Sequence, residues 1–187
     1  DITSAKDITA LNPDLIKVPS ACNNHFDMLE VLRDEYLGEV HISFGMTTKL
    51  EEEQIVAFFE HNNQGKRLVL YACTSGYPVP FDDVCMLEIS RIKDKFQQRV
   101  KAIGFSGHHL GIAIDIAAYA LGAEWVERHF TLDRTWKGTD HAASLEPAGL
   151  KKLSRDLKAT HKALTFKQSD ILAIEKVQRE KLKFRRK

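Results

Sequence analysis

AIGFSGHHLGIAIDIAAYALGAEWVERHF, residues 102–130, decides the architecture of this chain. It opens on a short apolar run, Ala102 to Ser106, and closes on another, Glu124 to Phe130. Short runs rich in Val, Ile, Leu and aromatics read as buried strands. The stretch between them, Leu110 to Leu121, is almost wholly apolar and has helical length, which predicts a helix buried by its neighbours. Strand, helix, strand is a βαβ unit, because parallel neighbours need a crossover connection.

The alternation continues outward. Strand-like runs precede it at Leu15 to Ser20 (LIKVPS), Glu39 to Phe44 (EVHISF) and Arg67 to Cys73 (RLVLYAC). Thr48 and Glu51 have capping-box spacing, with Ile55, Phe58 and Phe59 as the apolar stripe behind them. Asp82 or Asp83 is expected to cap a helix carrying Met86, Leu87, Ile89 and Ile92. Pro147 suits a first helical turn before Leu150, Leu153 and Leu157. A short helical piece, Ser4 to Leu11, stands where the helix of an earlier strand would lie.

Successive strand ends, Lys17, Ser43, Cys73, Ser106 and His129, are separated by 26, 30, 33 and 23 residues. That spacing suits βα units of a barrel or of an open sheet. A barrel needs eight units, so five strands make an arc corresponding to strands 4 to 8, with the first three strands missing. A doubly wound five-stranded parallel sheet is the alternative. No GxGxxG or GxxxxGK[ST] loop follows any strand, which counts against a nucleotide site. The expected division is a partial barrel over 1–165 and a basic helical tail over 166–187.

The 187 residues are 43% hydrophobic, enough for one domain with a sizeable core, and 27 basic against 26 acidic residues give a net charge of +1. A strongly basic nucleic-acid binder is excluded as the main theme. No apolar run approaches membrane-spanning length, and no signal peptide is visible at the start. Three cysteines, Cys22, Cys73 and Cys85, without a CxxC pair make a disulfide framework unexpected and a cytoplasmic setting expected. The chain does not begin with Met, which fits a processed or partial chain.

Reactive residues gather at the C-terminal strand ends, where α/β barrels and sheets build their sites. These segments are Lys17 to Ser20, Ser43 to Met46, Cys73 to Pro78, Gly104 to His109 and Glu127 to Thr131, followed by the loop Lys137 to His141. Turn and cap requirements explain the glycines and some of the serines. They do not explain a lysine, histidines and a glutamate recurring at strand ends. His108 and His129 sit at the ends of consecutive strands, where inward-pointing side chains can converge. Side chains alternate along extended backbone, so only one of His108 and His109 can face the barrel axis. His141 lies in a loop whose direction is not readable from sequence.

The set GFSGH (104–108), ERHFTLD (127–133), KGTDH (137–141) and SLEP (144–147), with SFGM (43–46) and CTSGYP (73–78), resembles the sialic acid synthase family, in that family's order and over most of residues 10–160. The resemblance implies a (β/α)8 TIM barrel. It implies condensation of phosphoenolpyruvate with N-acetylmannosamine, a related N-acylmannosamine, its 6-phosphate or mannose. It further implies a divalent metal, Mn2+ before Mg2+ or Co2+, on His108 and His129; phosphoenolpyruvate on Lys17, Ser20, Ser43 and Ser106; and Ser75, Tyr77, Glu127 and Asp140 toward the sugar. Lys17, Glu127, His108 and His129 would carry the catalysis, and a homodimer without nucleic-acid or membrane partners is the implied assembly. The sequence departs from the family at Gly107, where many relatives have Asp, at Cys22, where a carboxylate is frequent, and at Ser75, where Asn is frequent. The branch implied lacks the C-terminal antifreeze-like domain. The other readings are an inactive barrel fragment serving as a binding or assembly subunit, and an unrelated metal-dependent aldolase.

Overall fold

A computed structural model of the chain describes residues 1–184. Five parallel strands, β1 (Leu15–Val18), β2 (Glu39–Ser43), β3 (Leu68–Cys73), β4 (Ala102–Gly107) and β5 (Trp125–Arg128), form one sheet in strict sequence order. A doubly wound sheet reverses its strand order at a switch point, so the unpermuted order excludes that alternative. The sheet is a curled arc of a barrel. Between and around the strands run α1 (Ile2–Ala10), α2 (Phe26–Asp34), α3 (Lys49–Glu60), α4 (Glu88–Phe96), α5 (Ala113–Ala120), α6 (Pro147–Ala163) and α7 (Ala173–Leu182).

The register divides the strands into two faces. Ile16, Val18, Val40, Ile42, Leu68, Leu70, Ile103 and Phe105 pack with Leu29, Leu32, Ile55, Phe59, Ile89, Ile92 and Phe96 of α2, α3 and α4 in the main core. Their alternates form rungs on the opposite, concave face: Lys17, His41 and Val69; then Ser43, Tyr71, Gly104 and Trp125; then Cys73, Ser106 and Glu127. A side-chain period of two is the cause. The apolar set is spent on the helix layer and leaves the polar set facing inward. Among the described residues, no helix is long and apolar enough to cross a membrane, and all three cysteines are free.

Two helix expectations need correction. The aspartates at 82 and 83 do not cap α4. They belong to a single 3-10 turn, Phe81–Asp83, and Cys85 then adopts a left-handed conformation (φ 52°) that separates this turn from the helix. The helix starts at Glu88, leaving Leu87 exposed at its entry. Nor is the apolar 110–121 stretch a buried helix. Only Asp115 and Ala118 of α5 are buried, and Leu110 and Leu121 at its flanks are exposed. The helix packs chiefly on α6, β4 and β5, and its exposed residues, Ala113, Ala117 and Ala120, are alanines, which expose little area. Beyond α6 the chain runs without helix or strand from Leu164 to Leu172 and then forms α7, which buries no residue. Of the tail expected over 166–187, residues 185–187 lie outside the described residues.

Candidate active site

Each strand delivers its last concave-facing residue to one rim. Lys17 leaves β1 and donates from Nζ to Ser43 Oγ at the end of β2 (2.7 Å). The same Nζ reaches across the mouth of the arc to Glu127 Oε2 on β5, 3.4 Å away. Glu127 Oε1 in turn accepts from Ser106 Oγ on β4 (2.8 Å). Four strands are thus linked by one chain of polar contacts, Ser43–Lys17–Glu127–Ser106. Burial pushes the Lys17 ammonium below the ordinary lysine range, and the Glu127 carboxylate opposes that fall. A half-desolvated cation held by one carboxylate and one hydroxyl is a ready partner for an incoming anion.

A second cluster lies beside it. Ser20, in the turn after β1, accepts from the Gly45 backbone N–H (2.9 Å) and contacts Cys73 Sγ (3.7 Å). A Cβ on Gly45 would stand 2.6 Å from Ser20 Oγ, 3.2 Å from Cys73 Sγ, and closer still to Ser75 Oγ. Glycine is required here because two hydroxyls and a thiol converge on bare backbone. Asn23 braces the same loop, donating to Ser43 O (2.9 Å) and Thr47 Oγ1 (2.6 Å).

The imidazoles of His108 and His129 face each other with ring centroids 5.0 Å apart, and Tyr77 packs against both, at 4.5 and 5.5 Å. Burial holds both imidazoles below the ordinary histidine range, and for His129 the neighbouring His108 adds to the effect. His108 Nδ1 lies 2.9 Å from the Thr74 carbonyl. A carbonyl only accepts, so Nδ1 carries the proton and Nε2 keeps its lone pair. Asp140 Oδ2 is 3.6 Å from His129 Nδ1. His109, the rival of His108, is fully buried on the helix side near Asp115 and Arg128. His141 is bonded locally to Thr131 Oγ1 (2.8 Å).

Do these residues fit a divalent ion? Among the described residues, no group of three or more His, Cys, Asp or Glu is gathered closely enough to hold one alone. Two neutral imidazoles, one with its outer nitrogen already tethered, nonetheless match the donor set of an ion that takes its remaining ligands as oxygen from water and substrate. Asp140 lies beside His129 alone, 3.6 Å from its Nδ1.

The structure thus brings together Lys17, Ser20, Ser43, Ser75, Tyr77, Ser106, His108, Glu127, His129 and Asp140 at one end of the sheet. Sequence reasoning assigned no role to Cys73, Gly45, Asn23 or the Thr74 carbonyl. Cys73 was visible as a strand-end residue, but its contacts with Ser20 and with His108 Nδ1 (4.0 Å) come from the curl of the sheet. Below the rim, a cavity of about 320 Å³ is lined by Lys17, His41, Tyr71, Trp125 and Glu127, among others.

Comparison with known proteins gives a consistent result. The profile of the NeuB family matches residues 1–169. The N-acetylneuraminate-9-phosphate synthase of Homo sapiens is 40% identical over 172 residues, which is 92% of this chain and 46% of that protein. The N,N'-diacetyllegionaminic acid synthase of Campylobacter jejuni is 34% identical over 165 residues, 88% of this chain and 48% of that protein. A crystal structure of N-acetylneuraminic acid (sialic acid) synthetase from Leptospira borgpetersenii, in complex with citrate, superposes with a TM-score of 0.83. Its sequence is 30% identical, and the match covers 97% of this chain and 61% of that one. The chain spans about half the length of the curated relatives it matches.

Proposed function

The chain belongs to the NeuB family, and from that premise we propose that it carries the phosphoenolpyruvate- and acceptor-binding rim of a sugar-acid synthase. The reaction joins C3 of phosphoenolpyruvate to the aldehyde carbon of an N-acylmannosamine; water adds at C2 and inorganic phosphate leaves. The product is a nine-carbon 2-keto-3-deoxy sugar acid. The observation that carries this reading is the Ser43–Lys17–Glu127–Ser106 chain lying beside the His108–His129 pair on one rim.

Lys17, Ser43 and Ser106, with Ser20 beside Gly45, hold the phosphate and carboxylate of phosphoenolpyruvate. Lysine supplies a point charge and the hydroxyls supply short donors. The incoming anion replaces Glu127 as the partner of Lys17, which frees the Glu127 carboxylate to take a proton from the water adding at C2. Tyr77, Ser75 and Asp140 line the side on which the acceptor enters. His108 and His129 hold the divalent ion, Mn2+ before Mg2+ or Co2+, which when bound supplies Lewis-acid polarisation of the acceptor aldehyde. For the acceptor we favour N-acetylmannosamine 6-phosphate, because the human, mouse and Drosophila relatives at 39–40% identity are all named as the 9-phosphate synthase. Free cysteines fit a cytoplasmic setting for this chemistry.

The test is phosphate release from phosphoenolpyruvate by the intact protein, with N-acetylmannosamine, its 6-phosphate, other N-acylmannosamines and mannose as acceptors, with and without Mn2+. Release with the 6-phosphate above all others is expected. Preference for an unphosphorylated sugar corrects the acceptor, and no release with any of them leaves the binding-subunit reading.

A further inference from the structure

Behind each imidazole of the proposed metal pair sits a residue buried on the other side of the sheet. His109 follows His108, and Arg128 precedes His129. These two hidden residues are joined to each other. Arg128 Nη1 donates to Asp115 Oδ2 (2.6 Å) on α5 and to the Gly111 carbonyl (2.7 Å) in the loop after β4. Its Nη2 donates to the His109 carbonyl (2.6 Å) and to the Ala143 carbonyl (3.2 Å). Nη1 also lies 3.1 Å from His109 Nε2, and the His109 ring stacks obliquely on Phe105. The side chains of Arg128, Asp115 and His109 are 2%, 0% and 0% exposed.

One planar fork therefore ties the strand end that carries His129 to the strand end that carries His108, to helix α5 and to the turn before α6. Guanidinium nitrogens point in fixed directions, so the fork constrains angles as well as distances. Backbone bonds hold the histidines themselves: Leu145 N–H donates to the His129 carbonyl (2.8 Å) and Val79 N–H to the His108 carbonyl (3.0 Å). The cluster is not arranged for stability alone. Arg128 Nε, Asp115 Oδ1 and His109 Nδ1 are buried without a partner, and orphaned buried polar atoms are costly. An apolar trio of similar volume would avoid that cost, but it would lack the directional ties.

We propose that Arg128, braced by Asp115 and His109, is a positioning residue that sets the separation and facing of the His108 and His129 imidazoles. The inference rests on the proposed role of those two histidines as metal ligands, and its test separates the two ideas. In the intact protein, Arg128→Lys keeps the charge and removes the fork, while Asp115→Asn is a milder change that keeps the fold if the first does not. The control is Arg67→Met, which removes a guanidinium that donates to the Gly38, Arg33 and Leu32 carbonyls just before β3, at the end of the sheet opposite the rim. Three quantities are read: the imidazole NMR signals of the metal-free protein, Mn2+ affinity by electron paramagnetic resonance, and kcat against KM for phosphoenolpyruvate.

Arg128→Lys and Asp115→Asn are expected to shift the His108 and His129 signals and to weaken Mn2+ binding about 10- to 100-fold, the usual loss when a group that orients a ligand is removed. They should also lower kcat more than they raise KM. Arg67→Met is expected to lower the melting temperature without either change. Imidazole signals and Mn2+ affinity equal to wild type in both site variants would overturn the positioning role, as would an equal loss in Arg67→Met. If wild type itself binds no Mn2+, the metal reading fails, and the metal-free imidazole signals alone decide whether Arg128 positions the pair.

Discussion

Lys17 is the residue on which the proposed anion site turns, since its Nζ is shared between Ser43 and Glu127 and is partly withdrawn from water. A charged hydrogen bond to a bound anion contributes about 1.5–3 kcal/mol. Lys17→Ala is therefore expected to raise KM for phosphoenolpyruvate roughly tenfold to a hundredfold, read from initial rates of phosphate release; unchanged kinetics would show the lysine to be a bystander. His41, buried beneath it, makes a different prediction. Its Nδ1 meets Tyr71 Oη at 2.8 Å, and burial holds its imidazole below the ordinary range against the pull of Glu39. The unfolded chain thus binds a proton at this position more readily than the folded one. Stability present at neutral pH should fall as pH drops through about 6.5 toward the lower folded value. His41→Gln, which cannot titrate, should flatten the decline of Tm between about pH 7 and pH 5.5, in a window above that of the carboxylates. The strand-end positions of the rim were legible at this scale because strand ends expose their chemistry, but alternation says only that one of His108 and His109 faces inward, and the choice of His108 came from the family resemblance. Arg128 and Asp115 were not legible as a unit. A fork that ties two strands to a helix leaves no spacing signal in a linear sequence.

Helix α3 shows what local signals do well. Thr48 Oγ1 accepts from the Glu51 N–H (3.3 Å) while Glu51 Oε2 accepts from the Thr48 N–H (2.7 Å), the reciprocal box that the spacing foretold. Thr48→Ala should cost about 1 kcal/mol, read as a lower urea midpoint at unchanged slope, with activity retained. Helix α4 shows where such signals fail. Two aspartates ahead of an apolar stripe read as a cap, yet the backbone turns left-handed at Cys85 and the helix begins five residues beyond Asp83. The loop before it buries Val79 and Val84 in the main core, a tertiary packing that a local cap signal does not report. The α5 stretch misled for another reason. Composition reports that a helix is apolar, but not how many neighbours are present to cover it. The five strands were each legible to within about two residues, because short β-branched runs bounded by turn residues have few other readings.

For the whole molecule, the division expected between a barrel body and a helical tail carries its own prediction. The family match ends at residue 169, within the segment Leu164 to Leu172 that has no regular structure and precedes α7. Exposed segments of this kind are the preferred sites of nicking. Brief digestion with a low level of protease is expected to cut there first and to leave the sheet and its helices as the resistant fragment, identified by mass spectrometry; first cuts inside β2–β4 would contradict the packing described above. The two-faced register has a further consequence, in terms of what variation the strands can absorb. Neighbouring codons in β1 to β5 alternate between the two faces, one packed under helices and the other lining the rim. A deep mutational scan of these strands should therefore separate by parity. Positions such as Ile16, Ile42 and Leu70 would be scored chiefly in cellular abundance, and Lys17, Ser43 and Glu127 chiefly in turnover at normal abundance. On the proposed function, substrate preference can then drift by single substitutions on one face while the other face keeps the protein folded, and a lineage can change the proposed acceptor without first rebuilding its core.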